Sequence, residues 1–300
     1  MNTIIINNLL IDNKSVEPAP PGPNLKPSNG HSMICIIGST YDKVSSGIMQ
    51  HIFESISIKN PEVGKQYTSG SLMIYMHDGP LTEFSLEIPE ADVLCFVSKH
   101  SSAAQKGAIT THATGNWGSD ALLGGKPRSL SMSAPLEMLA FLLTSSRAQR
   151  GSSEIDVTYE ATHHGPLLSK SALFVELGGN NDVASSDHLH IQMAEAILES
   201  MDEARSQEYK KVVIGISGTH YPSKFSKLAV EKNYAFSHIL PKHHAFDEIG
   251  GENLSLLRQA AEKTPIKVDS AVIEWKSFNS VSREKIIKAL GEIGLDYERV

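Results

Sequence analysis

Histidine and glutamate side chains are concentrated in two short segments of this chain, Tyr159–Pro166 and Gly218–Pro222. Each segment lies at the end of an apolar run of β type and contains glycine and proline, which are typical of turns. Together they contain four candidate donors: Glu160, His163, His164 and His220. Imidazole and carboxylate groups in turns at strand ends suit metal binding or proton transfer, because the strand fixes their geometry and glycine lets a substrate approach. One such segment alone is equally consistent with a surface loop, but two of them indicate an active site.

Further candidate donors lie in or just beyond other apolar runs: His100, His112, Glu176 and His238. A zinc site needs three or four nitrogen or oxygen donors, and a catalytic site keeps one position open for water. Bound zinc lowers the pKa of its water to about 7 and polarises an ester carbonyl. The candidate zinc ligands are Glu160, His163, His164, Glu176, His220 and His238. Adjacent side chains in an extended segment point to opposite faces, so His163 and His164 are not expected to bind one ion together unless the turn twists.

Other catalytic patterns are poorly supported by the sequence. The run Gly215–Gly218 departs from a nucleophile elbow, which requires a glycine two places either side of the serine, because Thr219 stands two places after Ser217. No Gly-Lys-Ser/Thr phosphate loop is present, and Gly38–Thr40 after the first apolar run is only a weak anion-binding signal. The basic residues near the histidine segments form either a local phosphate-binding patch or a scattered surface set: Lys99, Lys106, Lys126, Arg128, Lys224, Lys227 and Lys242.

The composition excludes several classes of protein. A net charge of −7 does not favour non-specific attraction to nucleic acid by the chain as a whole. The two cysteines, Cys35 and Cys95, lie in apolar runs, which argues against a disulfide framework and a thiolate zinc cluster. No apolar stretch reaches the roughly 18 residues that a membrane span needs, and the N-terminal segment lacks the features of a signal peptide. A cytoplasmic protein is therefore expected.

A proline-rich stretch between residues 12 and 32 divides the chain. Because this composition cannot hold a β-ladder or a helix, residues 1–32 are interpreted as a disordered extension and linker. In residues 33–300, interpreted as one domain, apolar strands alternate with amphipathic helices. This alternation predicts a three-layer α/β/α fold with a mixed, largely parallel sheet. Ligands in such sheets bind beyond the carboxyl ends of the strands.

Six segments share their residue types and order with one known family. They are Ser98–His100, His112 with Gly115–Asn116, Tyr159–Pro166, Glu176–Gly178, Gly218–Pro222 and His238–His243. Together they resemble the archaeal and plant type of D-aminoacyl-tRNA deacylase, from about Met33 to beyond Trp275. The chain departs from the family pattern at Ile216–Gly218, where a glycine-rich stretch is expected, and at Gly179–Asn180, where a small hydroxyl residue is expected.

The resemblance implies a phosphorylase/hydrolase-like fold related to peptidyl-tRNA hydrolase, zinc dependence, and hydrolysis of the ester between a D-amino acid and tRNA. In that case His163 and His220 act in catalysis as well as on the metal. His100 or His112 then orients the substrate or protonates the departing ribose hydroxyl. The expected substrate contacts, including two lysines for acceptor-stem phosphates, are Lys99, Thr162, Gly165, Thr219, Tyr221 and Lys242. The enzyme is expected to be a monomer.

Other functions stay open at this point. The same histidines would serve a metal-dependent amidase, a carboxypeptidase-like hydrolase or a peptidyl-tRNA hydrolase. A nucleoside phosphorylase would require a phosphate site at Gly38–Ser39. A non-catalytic RNA-binding module would bind tRNA without hydrolysing it, so a chelator test separates it from a metal-dependent enzyme.

Overall fold

Strands and helices alternate along the chain, as the apolar pattern predicts. This computed structural model describes residues 32–100, 106–150, 154–204, 206–245 and 254–300. The strands are β1 (Ile34–Ser39), β2 (Gln66–Ser69), β3 (Leu72–His77), β4 (Val93–His100), β5 (Gly107–His112), β6 (Gly115–Asn116), β7 (Ser129–Leu130), β8 (Ile155–Tyr159), β9 (Ser171–Gly178), β10 (Lys211–Ser217), β11 (Tyr234–Pro241), β12 (Ser270–Ile273) and β13 (Tyr297–Arg299). The helices are α1 (Lys43–Ser55), α2 (Pro135–Ala148), α3 (Asn181–Ala184), α4 (Asp187–Glu203), α5 (Ser223–Lys232), α6 (Lys242–Ala245), α7 (Leu254–Glu262) and α8 (Ser280–Glu292). The expected extension, residues 1–32, lies outside the described residues except for Ser32.

The first sheet has seven strands in the spatial order β2-β3-β1-β4-β9-β5-β8. Its centre is parallel, since β1 pairs in parallel with β3 and β4, and β4 pairs in parallel with β9. Strand β2 is antiparallel to β3, β5 is antiparallel to β9, and β8 is parallel to β5. The predicted α/β class with a mixed, largely parallel sheet is confirmed. Because β5 and β8 run in the opposite direction to β4 and β9, the carboxyl ends of these four strands do not share one edge.

A second sheet of four parallel strands has the order β11-β10-β12-β13. The sequence pattern had suggested one sheet, because buried parallel strands have similar apolar runs whichever sheet they join. The two sheets share one apolar cluster, to which Val175 of β9 and Val213 of β10 both belong. Whether residues 33–300 form a single domain stays a prediction.

The two faces of the first sheet have different coverings. Helices α1, α2 and α4 pack with the face that carries Ile36, Cys95 and Val175, all fully buried. The opposite face carries Phe96 and Phe174, whose rings stack with centroids 5.0 Å apart. This second face becomes polar towards β5 and β8, and the candidate active site lies there.

Residues at two helix ends suit their positions. Ser186 caps α4, because its side chain accepts a hydrogen bond of 3.3 Å from the Leu189 amide. Pro135 lies in the first turn of α2, where its fixed backbone angle fits. Within the described part of the chain, every helix is too short or too polar to cross a membrane.

Candidate active site

Four neighbouring strands present polar side chains on the same face of the first sheet. Glu176 of β9 pairs with Ser98 of β4 on one side and with Thr110 of β5 on the other. His100 and His112 lie two residues beyond these partners on β4 and β5, so alternation along the strands places them on the face of Glu176. Glu160 directly follows β8, and its amide continues the ladder by donating to the Thr111 carbonyl over 3.0 Å. The site is therefore built across a sheet face, and not only at strand carboxyl ends.

The segment after Glu160 joins the two sheets and brings in the remaining histidines. The Ala161 amide donates to the His220 carbonyl over 2.8 Å, and the Thr162 amide donates to the Ile239 carbonyl over 2.9 Å. His163 forms an isolated bridge with Thr114, next to β6. Residues far apart in sequence are thus held together by backbone hydrogen bonds, which fixes the geometry of the site.

The adjacent histidines His163 and His164 lie against each other, because the turn twists. His164 has a φ of 41°, in the left-handed region that side chains rarely adopt, so the chain is no longer extended there. The two ring centroids are 4.3 Å apart, and both rings contact His112 at 4.1 and 4.9 Å. His163 also contacts His220 at 4.7 Å. The expectation of opposite faces does not apply to this turn.

Glu160 and Glu176 are buried carboxylates that share His100 between them. His100 Nδ1 lies 3.0 Å from Glu160 Oε1 and 3.4 Å from Glu176 Oε2, while Glu160 Oε2 lies 2.9 Å from His220 Nε2. Burial alone would raise the pKa of Glu160, but hydrogen bonds with His100 and His220 hold it well below its ordinary range. Burial would lower the pKa of His100, but both carboxylates raise it to about 10. Two anions and one cation therefore form the buried part of the site at neutral pH.

Three other imidazoles use the same ring nitrogen to bond the backbone. The Nδ1 atoms of His112, His163 and His164 lie 3.1, 2.8 and 2.6 Å from the carbonyl oxygens of Ala113, Ala161 and Gly165. In the neutral ring the Nδ1–H group donates to that oxygen, which leaves the lone pair on Nε2. Burial and the neighbouring imidazoles lower the pKa of His163 well below its ordinary value, and burial first of all lowers the pKa of His164 to about 4. These two rings are therefore neutral and have lone pairs available.

The His112 ring supplies an orphaned polar atom at the centre of the site. Its Nε2 is buried, has no hydrogen-bond partner among the described residues, and lies 3.7 Å from Glu176 Oε1. Burial would lower the pKa of His112, but Glu176 raises it. A buried nitrogen without a partner is costly unless a ligand occupies the position next to it.

The donor atoms form three overlapping groups that could hold a metal ion. They are His112, His163 and His164; Glu160, His163 and His220; and His100, Glu160 and Glu176. Within each group the ligand atoms lie within 4.8 Å of one another. The first and third groups have no residue in common, whereas the second connects them through His163 and Glu160. Neutral imidazoles with backbone-bonded Nδ1 atoms and ionised carboxylates are the donors that zinc prefers, so the residues fit this metal.

An open cavity of about 640 Å³ leads to these groups. His163, His164 and His220 lie at its inner surface. The cavity is also lined by residues that the sequence analysis did not single out: Trp117, Gly118, Ser119, Asp120, Leu122 and Leu123. These six lie in loops without a periodic pattern, whereas His243 and His244, which also line the cavity, lie in α6. The glycines at 118, 124 and 125 were the available signal that this stretch makes close backbone approaches.

His238 departs from the prediction that it binds the metal. Its Nδ1 lies 3.3 Å from Thr162 Oγ1, its Nε2 lies 3.3 Å from the Lys263 carbonyl, and it belongs to none of the three groups found among the described residues. Burial lowers its pKa to about 4. Thr162 lines the cavity, but its hydroxyl also accepts a 3.0 Å hydrogen bond from the Ile239 amide. Both side chains fix the connection between Thr162 and β11.

Two of the expected substrate contacts lie away from the cavity. Lys99 is exposed on the opposite face of β4 from His100 and lines a separate cavity with Tyr41 and Asp42. Gly165 is packed against backbone, since a Cβ there would collide with Gly125 and with the carbonyl oxygen of Thr82. These positions do not support direct substrate binding by either residue.

The other three expected contacts lie closer to the site. Tyr221 is partly exposed, and its hydroxyl lies 3.3 Å from His100 Nε2. Thr219 is exposed, and its hydroxyl donates to the Tyr221 carbonyl over 2.9 Å, which shapes the turn that contains His220. Lys242 is exposed and directly follows Pro241, which lines the cavity. Of these three, Tyr221 and Lys242 are the better placed to meet a substrate.

Phe174 packs against the rings of His112 and His164, so its loss is expected to affect both stability and activity. It is fully buried, stacks on His112 at 5.3 Å and meets His164 edge to face at 4.8 Å. Phe174→Ala should lower the free energy of unfolding by about 3–5 kcal/mol, measured in urea. The matched control is Phe141→Ala, which removes an equally buried ring from α2. Equal activity per folded molecule in both variants would contradict the supporting role of Phe174.

An α/β framework with a histidine–glutamate cluster at the inner surface of an open cavity defines this protein as an α/β enzyme with a candidate metal centre. The model of the D-aminoacyl-tRNA deacylase family matches residues 87–298, and the chain belongs to this family. The D-aminoacyl-tRNA deacylase of Thermococcus onnurineus is 34% identical over 283 residues, covering 89% of this chain and 100% of the relative. That of Ignicoccus hospitalis is 35% identical, covering 71% of this chain and 87% of the relative. The resemblance drawn from the sequence is confirmed.

A solved structure has the same fold. The crystal structure of a conserved protein of unknown function, AF0625, superposes with a TM-score of 0.78 at 24% identity. The superposition covers 90% of this chain and 95% of the other. At this level of identity, the similarity supports the assignment of the fold and nothing further.

Proposed function

We propose that this member of the D-aminoacyl-tRNA deacylase family is a zinc-dependent hydrolase that cleaves the ester bond between a D-amino acid and tRNA. Such hydrolysis removes mischarged tRNA from translation. The observation that carries the proposal is the cluster of metal-competent donors at the inner surface of the cavity in a chain of this family. We further propose that the enzyme acts as a monomer in the cytoplasm, where its substrate is made.

The proposed zinc ligands come from the three overlapping groups. His112, His163 and His164 supply one set of donors, and Glu160 and His220, which are grouped with His163, supply further ones. His100 faces Glu160 and Glu176 and is assigned to proton transfer, not to the metal. When bound, zinc supplies Lewis-acid polarisation of the ester carbonyl and activation of a water molecule. The buried Nε2 of His112, which has no hydrogen-bond partner among the described residues, supports the assignment of the first set.

His100 and Tyr221 are the proposed proton donors to the departing ribose hydroxyl. Both carboxylates lie near His100 Nδ1, so the Nε2–H group is directed to the Tyr221 hydroxyl at 3.3 Å. Tyr221 is partly exposed and therefore accessible from the substrate side. A proton can pass from His100 through this hydroxyl to the leaving oxygen. Glu160 and Glu176 stabilise the charge of His100 and orient its ring.

Metal removal is the experiment that tests the proposed function. Dialysis against a chelator should abolish hydrolysis of D-aminoacyl-tRNA, and added zinc should restore it, because the clustered donors then regain their ion. Metal analysis should find zinc in the active protein, and L-aminoacyl-tRNA should be hydrolysed more slowly. Circular dichroism of the metal-free protein shows whether the fold is retained.

Each alternative function predicts a different result. Protein shown to be free of metal that keeps its full rate would contradict zinc dependence. Retained tRNA binding without hydrolysis by the zinc-loaded protein would indicate an RNA-binding module. Cleavage of peptidyl-tRNA or of amide substrates in place of aminoacyl esters would indicate one of the other hydrolases.

A further inference from the structure

Two arginine side chains lie over the ring of Trp275 at the edge of the second sheet. The guanidinium carbon of Arg299 lies 3.9 Å from the centroid of the Trp275 ring, and that of Arg283 lies 4.7 Å from it. Lys276 is the next residue and is exposed. Guanidinium groups at these distances from an aromatic ring are attracted to it and are held in a defined orientation.

This group of residues adjoins the loop that carries His220. Strands β10, β12 and β13 are parallel, so their carboxyl ends lie at the same edge of the sheet. Glu274 Oε2 accepts hydrogen bonds from the Gly218 amide at 2.6 Å and from Ser217 Oγ at 3.1 Å. Gly218 is packed so closely on Ser277 that a Cβ would collide with it. Only Thr219 separates Gly218 from His220, so at most about 7 Å of chain lies between them.

The two arginines are held in place by contacts that leave their positive charge uncompensated. Arg283 Nε donates to the Trp275 carbonyl over 2.9 Å, and Arg299 Nη2 donates to the Tyr297 hydroxyl over 2.9 Å. Among the residues that the structure describes, no carboxylate pairs with Arg283, Arg299 or Lys276. Arg147 of α2, by contrast, has its charge compensated by two glutamates at 3.2 and 2.8 Å. Fixed, unpaired guanidinium groups are suited to phosphate oxygens, which accept their fork of N–H donors.

We propose that Arg283 and Arg299, oriented by Trp275, and the neighbouring Lys276 bind backbone phosphates of the acceptor arm of tRNA. The proposal rests on the proposed function, since it concerns how the same site holds its substrate. With a net charge of −7, the chain as a whole does not attract a polyanion, so binding depends on a local group of cations. These cations lie beside the His220 loop, where the acceptor arm must arrive if its ester is to reach the cavity.

The test is the salt dependence of binding of uncharged tRNA to the intact, zinc-loaded protein. Replacing both Arg283 and Arg299 with alanine should weaken binding about tenfold and reduce the log–log salt slope by about 1.4–1.8, or 0.7–0.9 for each lost phosphate contact. The matched control is Lys288→Ala, which removes one charge from the same helix at a residue 4.0 Å from Glu292. This control should leave affinity and slope unchanged. Trp275→Leu keeps every charge and should weaken binding several-fold, whereas Trp275→Phe should restore most of it.

A small substrate separates this proposal from the proposed function. An aminoacyl ester of adenosine with a D-amino acid has the reacting bond but lacks the phosphates, so the double variant should hydrolyse it at the unmodified rate. Unchanged affinity and slope in the double variant, an equal loss in Lys288→Ala, or a wild-type protein that does not bind tRNA would each overturn the phosphate contact. A wild-type protein that binds tRNA through these arginines but cleaves neither substrate would instead overturn the proposed hydrolysis.

Discussion

Replacing His163 with alanine is expected to lower kcat/KM for D-aminoacyl-tRNA by more than about 100-fold, the upper range for groups that only support metal ligands. His163 belongs to two of the three donor groups, and its ring contacts His112, His164 and His220. Its loss therefore removes a ligand and also frees the neighbouring rings. The zinc content of the purified variant should fall in parallel, as measured by metal analysis.

The fold of the His163→Ala protein should survive, because the side chain is only partly buried and lies outside the apolar core. The matched control is His188→Ala, since His188 is an exposed histidine on α4 outside the three donor groups. Its activity and zinc content should equal those of the unmodified protein. If the His163 variant keeps its zinc and its rate, the assignment of the metal site is wrong.

Replacing Glu160 with glutamine is expected to lower kcat/KM by about 10²–10⁴-fold, the range for groups that position or transfer protons. The change keeps the shape of the side chain but removes its charge. Glu160 contacts His100 and His220 at 3.0 and 2.9 Å and belongs to two donor groups. The amide nitrogen of glutamine donates where a carboxylate oxygen accepts, so only one of its two terminal atoms can accept a hydrogen bond from these histidines.

Steady-state kinetics with D-aminoacyl-tRNA measures this loss, and thermal unfolding shows whether the variant is folded. Glu199→Gln is the matched control, because Glu199 is a surface carboxylate that pairs with Arg147 far from the cavity. Surface pairs of this kind contribute little, so the control should be fully active. A Glu160 variant as active as the control would show that its charge has no role in the reaction.

Sequence and structure agree best where the information is local. The apolar runs of β1, β4, β9 and β10 predict buried strands because the residues between the turns are almost uniformly apolar. Strand β5 was not identified, because Gly107, Thr110 and Thr111 interrupt its apolar character although the strand is largely buried. Thr110 and His112 lie on the same face as Glu176, an environment that a hydrophobic pattern does not reveal.

Long-range placement explains why the structure does not bring two of the predicted site residues to the donor groups. Lys99 and His100 are neighbours in sequence, but strand alternation sends their side chains to opposite faces of β4. His238 follows the same type of apolar run as the other histidines, yet its ring nitrogens bond Thr162 and Lys263. The position of a residue in the sequence does not predict either of these two side-chain placements, because both depend on which elements pack around the side chain.

The sequence by itself determined the α/β class, the family and most of the candidate donors, because side-chain chemistry and the apolar period are properties of the residues themselves. The tertiary structure decided how those donors are grouped. In the structure, β5 and β8 run in the opposite direction to β9, and the turn at His164 is twisted. Backbone hydrogen bonds of Ala161 and Thr162 connect the two sheets. The tertiary structure also placed Trp275 and its arginines beside the His220 loop. These results depend on hydrogen bonds and packing between residues distant in sequence, which no local pattern encodes.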